Sequence, residues 1–287
     1  MDMSYFDELR GRQPPDKLYH YTSVQGIEGI IRSRAVWATV VHYLNDAQEF
    51  RHAFGVARSV IHGKRSTADG EVADLLSHFG DSLERIEHVR ICVFSLTEQG
   101  DLLSQWRGYC PPSGGYSIAF SPDFLTPFLE KHRFFLAPCT YDDVDHQKLV
   151  QEVIDEVVQG VQGLRKTTGA SLDELKEKML PVFFFRFAQV APIIKHPSFA
   201  EEREWRLVSG LVADNDPLLK HRGGRSMLIP YYDLPLQDSA HPFTIADIVV
   251  GPTPHQYIAT DALVGLLKQQ GLKWLAVTPS RIPYREI

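Results

Sequence analysis

The stretch Lys195-His196-Pro197-Ser198-Phe199-Ala200-Glu201-Glu202-Arg203-Glu204-Trp205-Arg206-Leu207 alternates charged and apolar side chains after a proline-containing turn. Read as a strand over residues 202–211, it sets Glu202, Glu204 and Arg206 on one face and Arg203, Trp205 and Leu207 on the other. Carboxylates two residues apart on a strand lie roughly 7 Å from each other at the backbone, so each feels the other's charge. Such a pair can divide roles, one holding a hydroxyl or proton while the other faces developing positive charge. The plainer alternative is a solvated strand face on which Glu and Arg pair.

Working outward, short β-prone runs alternate irregularly with helical patterns. Leu18-Tyr19-His20-Tyr21-Thr22 reads as a strand, and Thr22 and Ser23 can cap a helix carrying Val24, Ile27, Ile30 and Ile31. A strand is expected over 37–41, then a helix capped by Asn45-Asp46 and running to about 62. A polar segment over 63–70 leads to a further helix ending near 87. Strands are expected over 90–96, 116–120 and 134–141, with Ser121-Pro122 opening a helix between the last two. Two helices follow over 143–164 and 171–191. Strands over 226–232 and 245–250, a helix over 256–270 and a strand over 274–278 complete the pattern. There is no βαβ repeat and no Gly-rich nucleotide loop. The expectation is one α+β domain over 1–287, with 143–192 as a helical insertion within it.

The 287 residues carry a formal charge of −6, with 44% hydrophobic and 23% charged side chains, an ordinary globular composition. The acidic balance argues against a large phosphate-binding surface. No run reaches the roughly 20 apolar residues of a membrane helix, and the N-terminal residues lack the pattern of a signal peptide, so no membrane partner is expected. Three widely spaced cysteines, Cys92, Cys110 and Cys139, form neither a disulfide framework nor a zinc motif, which fits a reducing cytoplasm. Twelve histidines are present, but none at HExxH or paired-ligand spacing. Asn45, Asp46 and Glu49 are explained by helix capping, and His221 to Arg225 reads as an exposed basic turn.

Several polar or aromatic residues have both a functional and a plain reading. His20, flanked by aromatics, can bond a ribose or phosphate, or be a core histidine satisfied by a carbonyl. Ser95 ends an apolar strand, where it can meet a ligand or bond a turn. Tyr21, Trp106 and Tyr109 can stack a flat ring, or simply fill the core.

Taken together, Leu18 to Ser23, Asn45 to Phe50, Val93-Phe94-Ser95, Gln105 to Tyr109, Gly115 to Phe120 and Lys195 to Arg206 resemble, in order and spacing, the bacterial DUF2971 family. Ala47 departs from the family's usual Asn-Asp-Pro, which affects a turn. The family looks like a distant branch of the ADP-ribosyltransferase fold, a split, mostly antiparallel sheet holding NAD in its cleft. The resemblance implies that His20 binds the adenosine ribose, Ser95 lines the nicotinamide site, and Glu202 or Glu204 contacts the nicotinamide ribose.

On that reading Glu204 holds the ribose hydroxyl and stabilises the cation formed on bond cleavage, and Glu202 orients the nucleophile. Lys195 or Arg206 balances the pyrophosphate or lowers the carboxylate pKa values. NAD is the expected substrate, with no metal required and the acceptor a protein, nucleic acid, small molecule or water. A toxin or phage-defence effector fits the reading. The alternative is a non-enzymatic module that senses a nucleotide or partner in the same cleft.

Overall fold

A central strand, β3 (Cys92–Thr97), organises the molecule because three other strands pair with it. Along one edge it pairs throughout with β6 (Glu204–Ser209), from Val93↔Val208 to Thr97↔Glu204. The other edge is shared. Its first residues pair with β2 (Ala35–Val40), through Cys92↔Val40 and Val93↔Thr39, and its last with β1 (Leu18–Thr22), through Thr97↔Tyr19. The sheet therefore splits at Phe94, Ser95 and Leu96. A computed structural model describes residues 3–44, 47–83, 85, 89–111, 114–224, 226–272 and 276–283, with backbone only for 47–50.

The remaining strands are β4 (Tyr116–Phe120), β5 (Phe134–Pro138), β7 (Leu219–Gly223), β8 (Leu228–Pro235), β9 (Asp247–Val250) and β10 (Val277–Pro279). The ten-stranded sheet runs β10-β9-β4-β1-β3-β2-β8-β7, and β6 carries β5 beside β3. All pairings are antiparallel except β9 with β10. A mixed fold with a mostly antiparallel sheet is thus as expected.

Helices cover both faces. On one lie α2 (Val24–Ser33), α6 (Pro122–Lys131) and α9 (Gln256–Gln269), whose Ile27, Ile31, Leu125, Phe128, Leu263 and Leu267 pack with Leu18, Phe94, Ile118, Trp205 and Leu207. Local chemistry starts two of them. Ser23 Oγ accepts from the Gly26 amide, and Ser121 caps α6 with Pro122 in the first turn, where a missing N–H costs nothing. The short helices α1 (Tyr5–Arg10) and α5 (Leu103–Tyr109) carry no strong periodic signal and were not expected.

The opposite face is built by α3 (Ala47–Thr67), α4 (Gly70–Ser82), α7 (Asp143–Thr168) and α8 (Leu172–Val190). Their Ala53, Ala57, Phe79, Leu149, Val153, Phe183 and Phe187 share a core with Val93, Ala137 and Val208 of the sheet. The helical segment 143–192 thus supplies the core over one face of the sheet. A capping box, Ser171 with Glu174, opens α8, and Gly169 ends α7 at φ +65°, a conformation glycine reaches without strain.

Three expectations need correction. The helix expected to stop near 62 continues to Thr67, because charged residues on an exposed face do not interrupt it. His221 and Arg222 belong to the edge strand β7, paired with Pro230 and Ile229, so the basic turn is a strand. The strand expected from residue 202 begins at Glu204 instead; Pro197–Glu202 is a 3₁₀ turn, and Arg203 follows at φ +42°. Asn45, Asp46 and Arg225 lie outside the described residues, as do positions 274 and 275 of the expected final strand.

Candidate functional site

From Glu204 onward the expected alternation holds. Glu204, Arg206 and Val208 share one face, while Trp205 and Leu207 enter the core on the other. Glu202 is not part of that face by alternation, because the left-handed Arg203 breaks the period. It is brought back by tertiary contacts: Thr97 Oγ1 donates to its carbonyl at 2.6 Å, and Lys195 Nζ donates to its Oε2 at 2.6 Å.

Lys195, fully buried, also donates to Glu204 Oε2. Arg206 grips the same carboxylate in a two-point contact, Nε to Oε1 at 2.6 Å and Nη2 to Oε2 at 3.1 Å, and donates through Nη1 to the Pro192 carbonyl at 2.5 Å. Among the described residues, two carboxylates and two cations meet in this cluster, and such pairing is how charges survive burial. Burial alone would raise the Glu204 pKa; Arg206 and Lys195 outweigh it and hold the carboxyl at about 2. The Glu204 amide donates to Tyr141 Oη at 2.8 Å.

At the split in the sheet a cleft of about 320 Å³, mouth included, is lined by His20, Tyr21, Ser95, Tyr109, Glu202 and Glu204. Four separate segments of chain meet there. Tyr19, Thr97 and Gln105 also line it; no role was expected of them, because Thr97 meets Glu204 only through the β3–β6 register. His20 Nδ1 lies 3.0 Å from the Ser95 carbonyl, and the ring packs tilted against Phe94 at 4.3 Å between centroids. A carbonyl only accepts, so Nδ1 carries the proton. Desolvation outweighs that bond and lowers the His20 pKa to about 4, so the ring is neutral at pH 7 and its Nε2 is an acceptor.

Tyr21 is an anchor. Its hydroxyl donates to the Gln99 carbonyl and accepts from the Leu102 amide, both at 2.8 Å, and burial raises its pKa. Trp106 does not line the cleft. It packs edge-on to Tyr21 at 4.5 Å in a small core with Val249, and its indole N–H donates to Asp101 at 2.8 Å. Asp101, which drew no attention in the sequence, also accepts from Ser280 Oγ at 2.6 Å and the Arg281 amide at 2.8 Å. Tyr109, 38% exposed, lines the cleft together with Tyr19. Lys195 and Arg206 likewise lie behind the lining, against Glu204.

A wider depression of about 550 Å³ opens at the far end of β6, lined by Lys131, His132, Ser209 and Tyr232 among others. Its polar groups are engaged with one another and with neighbours: His132 Nδ1 meets Tyr232 Oη at 3.1 Å, and Lys131 pairs with Asp238 at 3.1 Å. Among the described residues, no helix is long and apolar enough to cross a membrane.

No curated protein and no solved structure matches the chain. Residues 105–207 match a family described as "Protein of unknown function (DUF2971)". That span takes in Gln105, Tyr109, Lys195, Glu202, Glu204 and Arg206, and leaves His20, Tyr21 and Ser95 outside it. The match covers 103 of the 287 residues and is to the same family that the sequence resembles.

Proposed function

We propose that the cleft binds NAD and that the protein is an ADP-ribosyltransferase or NAD glycohydrolase. The observation that carries this reading is the convergence of His20, Ser95, Tyr109 and both glutamates on one cleft at the sheet split. A neutral His20 with its proton on Nδ1 offers Nε2 to a donor, and a ribose hydroxyl is such a donor. Tyr109 offers a ring face to the nicotinamide.

Cleavage of the nicotinamide–ribose bond builds an oxocarbenium-like cation, which a fixed carboxylate stabilises. Glu204, gripped by Arg206 and Lys195, acts as the positioning residue that fixes Lys195. Lys195 in turn orients Glu202, the carboxylate nearer the mouth, toward the cation. This moves the cation-facing role from Glu204, where the sequence reading put it, to Glu202. The test is nicotinamide release from NAD by the purified protein, with and without cell lysate. Labelled NAD followed by protease or nuclease treatment then identifies the acceptor.

A second reading, a nucleotide-sensing module without turnover, is favoured by the complete engagement of Glu204 with cations. NAD binding without nicotinamide release under either condition selects it.

A further inference from the structure

We propose that His52, Asp143 and His146 bind a divalent transition-metal ion, Zn²⁺ by ligand type, that clamps α3 to α7. His52 lies 94 residues before His146, yet these two and Asp143 each offer a ligand atom, and the three atoms lie within 4.8 Å of one another.

Two of the three ligand-atom separations are those of a coordination shell. His146 is fully buried, and its Nε2 lies 2.8 Å from the Thr140 carbonyl. Since that oxygen can only accept, Nε2 carries the proton and Nδ1 holds the lone pair. A backbone carbonyl fixing the tautomer of a histidine in this way is a common outer-shell feature of metal ligands. Nδ1 of His146 faces His52 Nε2 at 3.4 Å and Asp143 Oδ1 at 3.6 Å. A tetrahedral ion with bonds of about 2.0–2.1 Å separates neighbouring ligand atoms by about 3.4 Å. The same 3.4 Å is long for a direct hydrogen bond, whose usual range is about 2.7–3.2 Å.

Two imidazoles with one carboxylate suit zinc and neighbouring transition metals; calcium and magnesium prefer all-oxygen shells. Asp143 and His146 are three apart in the first turn of α7 and so share a face. Asp143 is 75% exposed, leaving solvent access for a fourth ligand. His196 packs against His52 at 5.5 Å, but its Nδ1 already accepts from the Ser198 amide, so it is a neighbour and not a ligand.

The clamp reaches the cleft through one oxygen. The Thr140 carbonyl that accepts from His146 also accepts from the Lys195 amide at 3.0 Å. The adjacent Tyr141 holds the Glu204 amide. The ion thus steadies the segment behind the ion cluster without touching a substrate.

The experiment uses the full chain, stripped with a chelator and titrated with Zn²⁺ by calorimetry, with Co²⁺ as a spectroscopic replacement. Wild type is expected to take up one Zn²⁺ per chain and to give Co²⁺ the strong visible bands of a four-coordinate site. His52→Ala should abolish both, and Asp143→Asn should weaken Zn²⁺ binding by at least about 100-fold, since even outer-shell changes cost about 10–100-fold. Asp143 is exposed, so its variant keeps the test open should His52→Ala fail to fold. Absence of stoichiometric Zn²⁺ uptake by wild type, or an Asp143→Asn affinity equal to wild type, overturns the proposal.

Discussion

Replacing Glu204 with Gln removes one negative charge from a cluster in which Lys195 and Arg206 are both buried. The structure sets the size of the effect. The carboxyl is held at about 2 against an ordinary 4.5 because Arg206 and Lys195 together outweigh the burial that would raise it. Each tenfold change in proton affinity is about 1.4 kcal/mol, so the ionised group contributes about 3 kcal/mol to folding at neutral pH. Leaving buried cations short of a partner costs about 3–5 kcal/mol in comparable cases, which agrees.

The sign follows from the lowered pKa: this stability is complete above about 4.5 and lost as the pH falls through about 2. The variant has no carboxyl to titrate. Urea denaturation should therefore separate wild type from Glu204→Gln by about 3 kcal/mol at pH 7 and by about half of that at pH 3. A gap below about 1 kcal/mol at pH 7, or an equal gap at both pH values, refutes the reasoning.

Four further expectations can be measured. Glu202→Gln, once shown to be folded, should lower nicotinamide release by roughly 10²–10³-fold; unchanged release assigns the carboxylate role elsewhere. Nitrogen NMR should find the His20 ring protonated on Nδ1 and neutral until the pH approaches about 4, and an Nε2–H tautomer or a titration near 6.5 contradicts the site geometry. Because the unfolded ring gains its proton near 6.5, this histidine should also cost stability as the pH falls from there toward 4, a loss that His20→Asn removes. Gly251→Ala should destabilise by about 1–3 kcal/mol in thermal unfolding, since its new methyl would lie 2.8 Å from the Trp106 ring and 2.9 Å from the Gly115 carbonyl.

Local chemistry alone determined much of the fold. Ser23 and Ser121 cap helices because a side-chain oxygen next to a periodic apolar run satisfies free amides, whatever lies elsewhere in the chain. The alternation of Glu204, Trp205, Arg206 and Leu207 was likewise legible, since a strand places successive side chains on opposite faces. Alternation could not locate Glu202. That depended on Arg203 adopting a left-handed backbone and on Thr97 and Lys195 reaching it from distant segments.

A core place was the commoner reading for Trp106, but only the fold shows the Asp101 and Val249 that surround it. Nor could spacing pair His52 with His146, which meet only because α7 packs on α3. Elements are written in neighbours along the chain, where backbone geometry and capping act within a few residues. The cleft, the buried ion cluster and the histidine pair are written in register and packing, which bring together groups that no local rule connects.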